Sequence, residues 1–196
     1  MTPVPTLTGQ RVRLRPLTAD DGPALVRAAS DGELWQLRYT SVPSAATVDA
    51  YLRTALDAHA AGTALPFAIE PIATGEVVGC TRFFDLEPAH RGVEIGYTWI
   101  AASWQRSFVN TEAKFLLLRH AFEEMRCLRV QFTTDFINER SRAAIARLGA
   151  QQEGILRSHR IRADGTVRDS VRFSIVEAEW PEVKKRLLAR LGQPPA

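Results

Sequence analysis

The chain has 196 residues, of which 45% are hydrophobic and 24% charged, a composition typical of one soluble globular domain. No apolar run approaches the roughly 20 residues that a membrane-spanning helix needs. The net charge of +3 is spread among acidic residues, and two cysteines are too few for a disulfide framework. These features argue against a membrane protein, a nucleic-acid binder and a disulfide-rich secreted protein.

The first ten residues lack the pattern of a secretory signal, so we expect a cytoplasmic protein. We expect one domain over residues 1–196, with flexible ends at 1–6 and 192–196.

The first third of the chain predicts a strand followed by two helices. Residues 12–16 alternate apolar side chains with arginines and end in proline, which predicts a short edge strand. Thr18 and the acidic residues after it are typical of a helix start, and the helix is predicted to reach Ser30. A second helix is predicted from Ser44, because apolar residues recur at helical spacing over 48–56.

The middle of the chain changes to the two-residue period of strands. Two apolar runs on either side of residues 73–76 predict a hairpin. Residues 93–99 form the longest alternation in the chain and predict the next strand, with Tyr97 and Trp99 packed in the core.

The second half predicts a long amphipathic helix from Thr111 to Met125, a strand around residues 130–134 and a short helix that ends at Gly149. Two strands at 153–161 and 170–176 and a basic C-terminal helix opened by Trp180 complete the predicted elements. The order predicts an α/β (α+β) domain with a mixed, mostly antiparallel sheet and one strand–helix–strand crossover.

Two segments carry the candidate chemistry. Residues 104–112 lie between a strand and the long helix, whose N-terminal N–H groups and dipole favour a phosphate. On local sequence alone an ordinary loop is the favoured interpretation of this segment, with Asn110 or Thr111 as the helix cap. The second segment is residues 138–150, in which Asn138 would either cap the short helix or bind amide groups of a ligand.

In this order and separation, the two segments resemble the acyl-CoA-binding motifs of the GNAT superfamily. The family's pyrophosphate motif, Gln/Arg-x-x-Gly-x-Gly/Ala, is matched by Gln105 to Asn110. Its second motif, from an asparagine to Leu-Gly-Phe/Ala, is matched by residues 138–150. Residues 7–17 and 93–99 are similar to the RimJ/RimL-type branch of N-acetyltransferases. The resemblance covers nearly the whole chain.

The resemblance implies the GNAT acyl-CoA N-acyltransferase fold, in which two central parallel strands splay apart and acetyl-CoA lies in the wedge between them. It implies acetyl-CoA as co-substrate and a primary amine, either a protein N-terminus or a small molecule, as the acceptor. The amine would attack the thioester directly in a ternary complex. The cofactor-binding residues that it implies are Ile100, Ala101, Gln105, Arg106, Ser107, Phe108, Val109, Asn110, Thr111, Asn138, Ser141 and Arg142.

Two residues are candidates for catalysis. Glu94 lies on the strand expected to line the wedge, on one face with Thr98 and Ile100, where it would be a general base or orient the amine; the alternative is a surface or salt-bridged glutamate. Ser141 resembles the serine of the RimJ/RimL-type branch and would protonate the leaving thiolate; the alternative is a helix cap.

A backbone N–H near Ile100 or Ala101 would stabilise the oxyanion if the strand bulges there. The predicted substrate-binding residues are Trp35, Tyr39, Arg82 and Glu94.

Two departures from the family pattern leave alternatives open. Phe108 replaces the first motif glycine, and Ile145 stands where many members have a tyrosine that acts as the acid. A left-handed conformation at Phe108 would cost about 1 kcal/mol or more, unless the loop bends differently with the ring outward. The alternative is a non-catalytic or weakly active CoA-binding relative.

A second alternative, a basic adaptor for nucleic acid, depends on the pI of about 9.2 and the arginines of residues 157–172. The scattered histidines predict no metal site, and a homodimer stays open.

Overall fold

A computed structural model describes residues 3–162 and 164–192 of the chain. The strands are Leu7–Thr8 (β1), Val12–Pro16 (β2), Ala64–Pro71 (β3), Gly79–Glu87 (β4), Gly92–Ile100 (β5), Arg129–Asp135 (β6), Gln151–Ile161 (β7) and Val167–Val176 (β8). The α-helices are Gly22–Ser30 (α1), Val48–Ala60 (α2), Phe108–Arg119 (α3), Glu139–Leu148 (α4) and Trp180–Arg190 (α5). A short π-helix, His120–Glu124, continues α3.

The described strands form one sheet in the order β1–β2–β3–β4–β5–β6–β8–β7. Neighbouring strands run antiparallel except β5 and β6, which are parallel and are joined through α3. This confirms the predicted mixed, mostly antiparallel sheet with one crossover. The expected flexible ends lie partly outside the described residues, at 1–2 and 193–196.

The sheet separates two apolar clusters, because alternate side chains of a strand point to opposite faces. On the face covered by α3 and α5, Phe83, Ile95 and Phe132 pack with the helices. We call this side the α3–α5 face. On the α1–α2 face, Cys80 and Trp99 pack with the first two helices. No helix in the described part of the chain is long and apolar enough to cross a membrane.

Predictions for three elements are wrong. The strand at residues 12–16 is not an edge strand, because β1 pairs along its outer side. The second helix begins at Val48 and not at Ser44, because Ser44 and Thr47 form a hydrogen-bonded turn in which the Ser44 N–H donates to Thr47 Oγ1 over 2.9 Å. The long helix begins at Phe108, three residues before the predicted start at Thr111.

Candidate active site

The central parallel strands separate after a short paired stretch. β5 and β6 are paired over Gly92–Glu94 and Arg129–Gln131. The rest of β5, residues 95–100, and the rest of β6, residues 132–135, do not pair with each other. We call this opening the wedge. An extended ligand can hydrogen-bond to strand backbone that is unpaired on this side. The wedge confirms the predicted splay.

A bulge in β5 re-aims the strand where it borders the wedge. Between two β4–β5 pairs, Cys80 with Trp99 and Arg82 with Gly96, β5 has one more residue than β4. Tyr97, with φ of 51°, absorbs this extra residue. Its side chain is 45% exposed, so the prediction that Tyr97 packs in the core is wrong, whereas Trp99 is buried as predicted.

The same bulge changes which side chains share a face with Glu94. Paired strand residues point to the same side, so Glu94, paired with Phe84, lies on the α1–α2 face. Beyond the bulge, Ile100 belongs to the α3–α5 cluster, and Thr98 meets Lys114 of α3. The prediction that Glu94 shares a face with Thr98 and Ile100 is therefore wrong.

The loop before α3 presents the helix N-terminus to the mouth of the wedge. Ser107 is the helix cap, since its Oγ accepts the Val109 N–H over 3.2 Å. The prediction that Asn110 or Thr111 caps this helix is wrong. Both residues instead lie in the first helical turn, where N–H groups and the helix dipole favour an anion.

Phe108 does not obstruct this loop by strain. The left-handed residue is Arg106, with φ of 59°, and Phe108 is the first helical residue. The Phe108 ring packs 6.3 Å from the Trp104 ring and lies 4.2 Å from the Arg11 guanidinium carbon. The expected cost of a left-handed phenylalanine therefore does not arise.

Gln105 spans the mouth of the wedge. Its Nε2 donates to the Ile100 carbonyl over 2.9 Å, and its Oε1 accepts Arg140 Nη2 over 2.9 Å. The side chain thus connects the end of β5 to the start of α4. The Ala101 N–H donates to the Val78 carbonyl over 2.8 Å, so it is not a free donor for an oxyanion. The bulge in β5 is at Tyr97 and not at Ile100 or Ala101.

The start of α4 supplies polar groups from the other side of the wedge. Asn138 caps the helix, because its Oδ1 accepts the Ser141 N–H over 3.0 Å. Ser141 is thus the capped residue, and the prediction that it is the cap is wrong. Arg142 Nε is buried without a hydrogen-bond partner. Arg106 and Arg140 put positive charge at the mouth of the wedge, whereas the Arg142 guanidinium lies over the Phe136 ring.

Glu94 lies where the wedge begins, at the last β5–β6 pair. It is 3% exposed, and Gln131 Nε2 donates to its Oε2 over 3.1 Å. Burial raises the pKa of Glu94, partly opposed by the positive charge of Arg172. No ion pair joins it to another described residue. The alternative of a surface or salt-bridged glutamate is therefore wrong.

The chain is similar to known acetyltransferases in both sequence and structure. Residues 11–151 match the family described as Acetyltransferase (GNAT) domain. A structure from T. thermophilus, provisionally named an acetyltransferase, is 39% identical with a TM-score of 0.85, covering 97% of this chain and 100% of that one. The chain belongs to the GNAT acetyltransferase family.

Two further relatives support the RimJ/RimL-type branch of the GNAT family. YdaF of Bacillus subtilis (strain 168), provisionally named a ribosomal N-acetyltransferase, is 34% identical over 106 residues. That match covers 54% of this chain and 57% of YdaF, so it spans little more than half of that relative's length. RimJ of Mycobacterium smegmatis, solved in complex with a CoA-disulfide, is 25% identical with a TM-score of 0.81, covering 97% of this chain and 96% of that one.

Within this GNAT fold, Arg82 is next to Glu94 on the α1–α2 face. It is 3% exposed, and its guanidinium carbon lies 4.9 Å from the Tyr51 ring centroid and 4.5 Å from that of Tyr97. Gly96, which pairs with Arg82, has no room for a side chain, because a Cβ there would lie 2.6 Å from the Phe84 ring. Close packing of aromatic rings therefore shapes this part of the face.

The other predicted acceptor residues lie in the segment between α1 and α2. Trp35 is in a short 3₁₀ turn, 36% exposed, and Tyr39 follows in the loop. Neither residue forms a hydrogen bond or a cation–π contact with Glu94 or Arg82, which instead contact Gln131 and the rings of Tyr51 and Tyr97. In the same segment, Arg38 forms an ion pair with Asp164 in the turn between β7 and β8. The two loops therefore meet at that pair.

Lys114 is a buried residue that the sequence analysis missed. It is 6% exposed, and its Nζ donates to the hydroxyls of Thr98 and Thr81, the latter over 3.3 Å. Burial lowers its pKa to about 7. The sequence contained a sign of this burial, because Lys114 stands four residues before Leu118 on the apolar stripe of the helix.

The described residues contain no group of three or more histidine, cysteine or acidic side chains placed to hold a metal ion.

Proposed function

We propose that this protein transfers the acetyl group of acetyl-CoA to a primary amine. The observation that carries the proposal is the wedge, with the N-terminus of α3 at its mouth and buried Glu94 where it begins. The name of YdaF, a ribosomal N-acetyltransferase, supports a protein N-terminus as the acceptor, and a small-molecule amine is the other candidate.

The residues around the wedge fit acetyl-CoA. The pantetheine chain would hydrogen-bond along the unpaired edge of β5, as an added strand does. The pyrophosphate would lie against the first turn of α3, near the cationic side chains of Arg106 and Arg140. Asn138 uses its carbonyl oxygen as the cap, which leaves its amide N–H₂ to bind an amide of the ligand.

The chemistry needs one proton acceptor and one proton donor. Glu94 accepts a proton from the acceptor amine, directly or through a water, so that the neutral nitrogen attacks the thioester carbon. The new C–N bond forms and the C–S bond breaks. The attacking nitrogen then loses its second proton, which Ser141 or a water passes on to the thiolate. The thiol pKa of about 8.5 means that a strong acid is not needed. Fixing both reactants in the wedge supplies a large part of the rate.

We also propose that the enzyme works in the cytoplasm as a single domain. The described cysteines, Cys80 and Cys127, are unpaired and buried, which is usual for a reducing compartment. The non-catalytic alternative depended on Phe108 and Ile145. The Phe108 ring packs against Trp104 and Arg11, which argues against obstruction of the loop, and Ile145 is a core residue, so the proton donor proposed here is Ser141 or water.

The test is thiol release from acetyl-CoA with peptide and small-molecule amines, for the native protein, Glu94→Gln and Asn138→Ala. We expect turnover by the native protein and a loss of about 10²-fold or more in kcat for Glu94→Gln.

In the native protein, kcat/KM falls as the pH drops through the raised pKa of Glu94, because the protonated carboxyl cannot accept a proton. Glu94→Gln loses this acidic limb. Asn138→Ala raises the KM for acetyl-CoA. No turnover with any amine, from folded protein that binds acetyl-CoA, would favour the non-catalytic alternative.

A further inference from the structure

The guanidinium of Arg82 is buried without an anionic partner. Only 3% of the residue is exposed, and no carboxylate of the described residues forms an ion pair with it. Its Nε is buried and has no hydrogen-bond partner. A buried charge that lacks a partner is costly, so a folded protein that keeps one calls for a specific explanation.

Two tyrosine rings hold this guanidinium in place. The rings of Tyr51 and Tyr97 attract it through cation–π contacts, but an aromatic face does not satisfy the N–H donors along the edge of the guanidinium plane. Tyr97 reaches this position through the strained backbone of the β5 bulge. Strain of this kind persists mainly at functional sites.

Arg82 lies close to the proposed proton acceptor. Arg82 pairs with Gly96, and Phe84 pairs with Glu94, so Arg82 and Glu94 are diagonal neighbours on one face, about 7–8 Å apart at the backbone. A small molecule or the first residues of a peptide can therefore contact both side chains at once.

The surroundings of Glu94 carry further unpaired positive charge. Burial and the negative charge of Asp85 raise the pKa of Glu94, whereas the positive charges of Arg172 and Arg160 lower it. Arg172 Nε is also buried without a hydrogen-bond partner, and neither arginine forms an ion pair with a described residue. Unpaired cations on one face attract a negatively charged ligand.

We propose that the acceptor carries a carboxylate close to its amino group and that Arg82 binds this carboxylate while Glu94 receives the amine. The proposal rests on the proposed acetyl transfer. A planar guanidinium edge matches a carboxylate with two parallel hydrogen bonds. This chemistry has two sources: the α-carboxylate of a free amino acid, and the side-chain carboxylate of aspartate or glutamate at the start of a peptide.

The experiment compares acceptors that differ in one carboxylate. One pair is glycine and glycinamide, compared at equal concentrations of neutral amine. The other is the peptide amide Ala-Asp-Ala-Ala and its counterpart with asparagine. We expect kcat/KM to favour the carboxylate member of one pair by at least about tenfold, and that pair identifies the source.

Three variants test the assignment to Arg82. Arg82→Gln removes the preference, Arg82→Lys keeps part of it because the charge remains, and Arg53→Gln, on the exposed side of α2, leaves it unchanged. Circular dichroism melting checks that each variant is folded. A native enzyme without the preference, or a preference that survives in folded Arg82→Gln, overturns the proposal.

Product binding separates this proposal from the proposed function. In the presence of CoA, calorimetry compares N-acetylglycine with its amide, and the acetylated aspartyl peptide with the acetylated asparaginyl one. The expected result is tighter binding of the carboxylate form in the native protein, lost in Arg82→Gln. Equal binding of both forms overturns the carboxylate proposal even if no amine is turned over, whereas absent turnover counts against acetyl transfer alone.

Discussion

At Lys114, an amino group is buried with two threonine hydroxyls as its hydrogen-bond partners. Thr98 follows the β5 bulge and Thr81 lies on β4, so the lysine connects α3 to both strands below the wedge. No described carboxylate pairs with Lys114, and burial therefore lowers its pKa to about 7. The fold accommodates this group by favouring its neutral form.

The stability of the protein should therefore change with pH through Lys114. Its pKa of about 7 in the folded state is below the roughly 10.4 of an exposed lysine. Between these values the unfolded state binds more protons, so the free energy of unfolding rises with pH. From pH 7 to 8.5, we expect the native protein to gain about 1–2 kcal/mol relative to Lys114→Met.

Urea denaturation at both pH values measures this difference. Lys185→Met, at an exposed position of α5, is the control and should show no such change. The buried thiol of Cys80, whose pKa burial raises to about 12, is present in all three proteins and cancels in the comparison. A constant difference between native protein and Lys114→Met would mean that the lysine is not held in its neutral form.

At the scale of elements, the cap of α3 would couple helix stability to the proposed phosphate site. Ser107 accepts the Val109 N–H and donates to the Trp104 carbonyl over 2.6 Å, which holds the loop against the helix. Gln105, two residues earlier, joins this loop to β5 and α4. The N–H groups that would face the pyrophosphate are therefore oriented before the ligand arrives.

Ser107→Ala should lower the free energy of unfolding by about 1 kcal/mol and raise the KM for acetyl-CoA. Ser107→Thr keeps a hydroxyl cap and should stay close to the native protein in both measurements. Ser107→Asp keeps the cap but adds a negative charge, so it should preserve stability while weakening acetyl-CoA binding. Equal acetyl-CoA binding by Ser107→Asp and the native protein would show that the pyrophosphate lies elsewhere.

For the whole molecule, one surface ion pair joins parts of the chain that are far apart in sequence. Arg38 follows α1, and Asp164 lies in the turn between β7 and β8, at the opposite end of the sheet order from β2. Both side chains are partly or largely exposed, and such pairs contribute about 0–1 kcal/mol. The contact therefore matters more for the position of the two loops than for overall stability.

Arg38→Ala should change the free energy of unfolding by less than about 1 kcal/mol but raise the KM for the amine acceptor. The KM for acetyl-CoA should not change, because the wedge opens at Gln105 and α4. Steady-state kinetics with each substrate varied in turn measures this, with Arg53→Ala as the control. If Arg38→Ala alters neither KM, the loop contact has no part in acceptor binding.

Much of this molecule is readable from local patterns. Three local patterns predicted elements that the structure contains: the alternation over residues 93–99 predicted β5, the apolar stripe predicted α3, and Gly149 predicted the end of α4. Such patterns suffice because hydrophobic period and helix caps depend on residues close in sequence. The order of the elements predicted the crossover, because few topologies accommodate a strand–helix–strand connection. The wedge was implied by the resemblance of the two motifs to those of the GNAT superfamily.

The tertiary structure alone decided the details of the site. Gly96, next to Tyr97, is compatible with a bulge, but the position of the extra residue exists only relative to the register of β4. The direction of the Phe108 ring depends on Arg11, about one hundred positions earlier. The missing partner of Arg82 is likewise a property of all surrounding strands and helices. Sequence by itself determined the elements, their order and the family; register and long-range packing decided which side chains meet, because those contacts join residues that no local pattern relates.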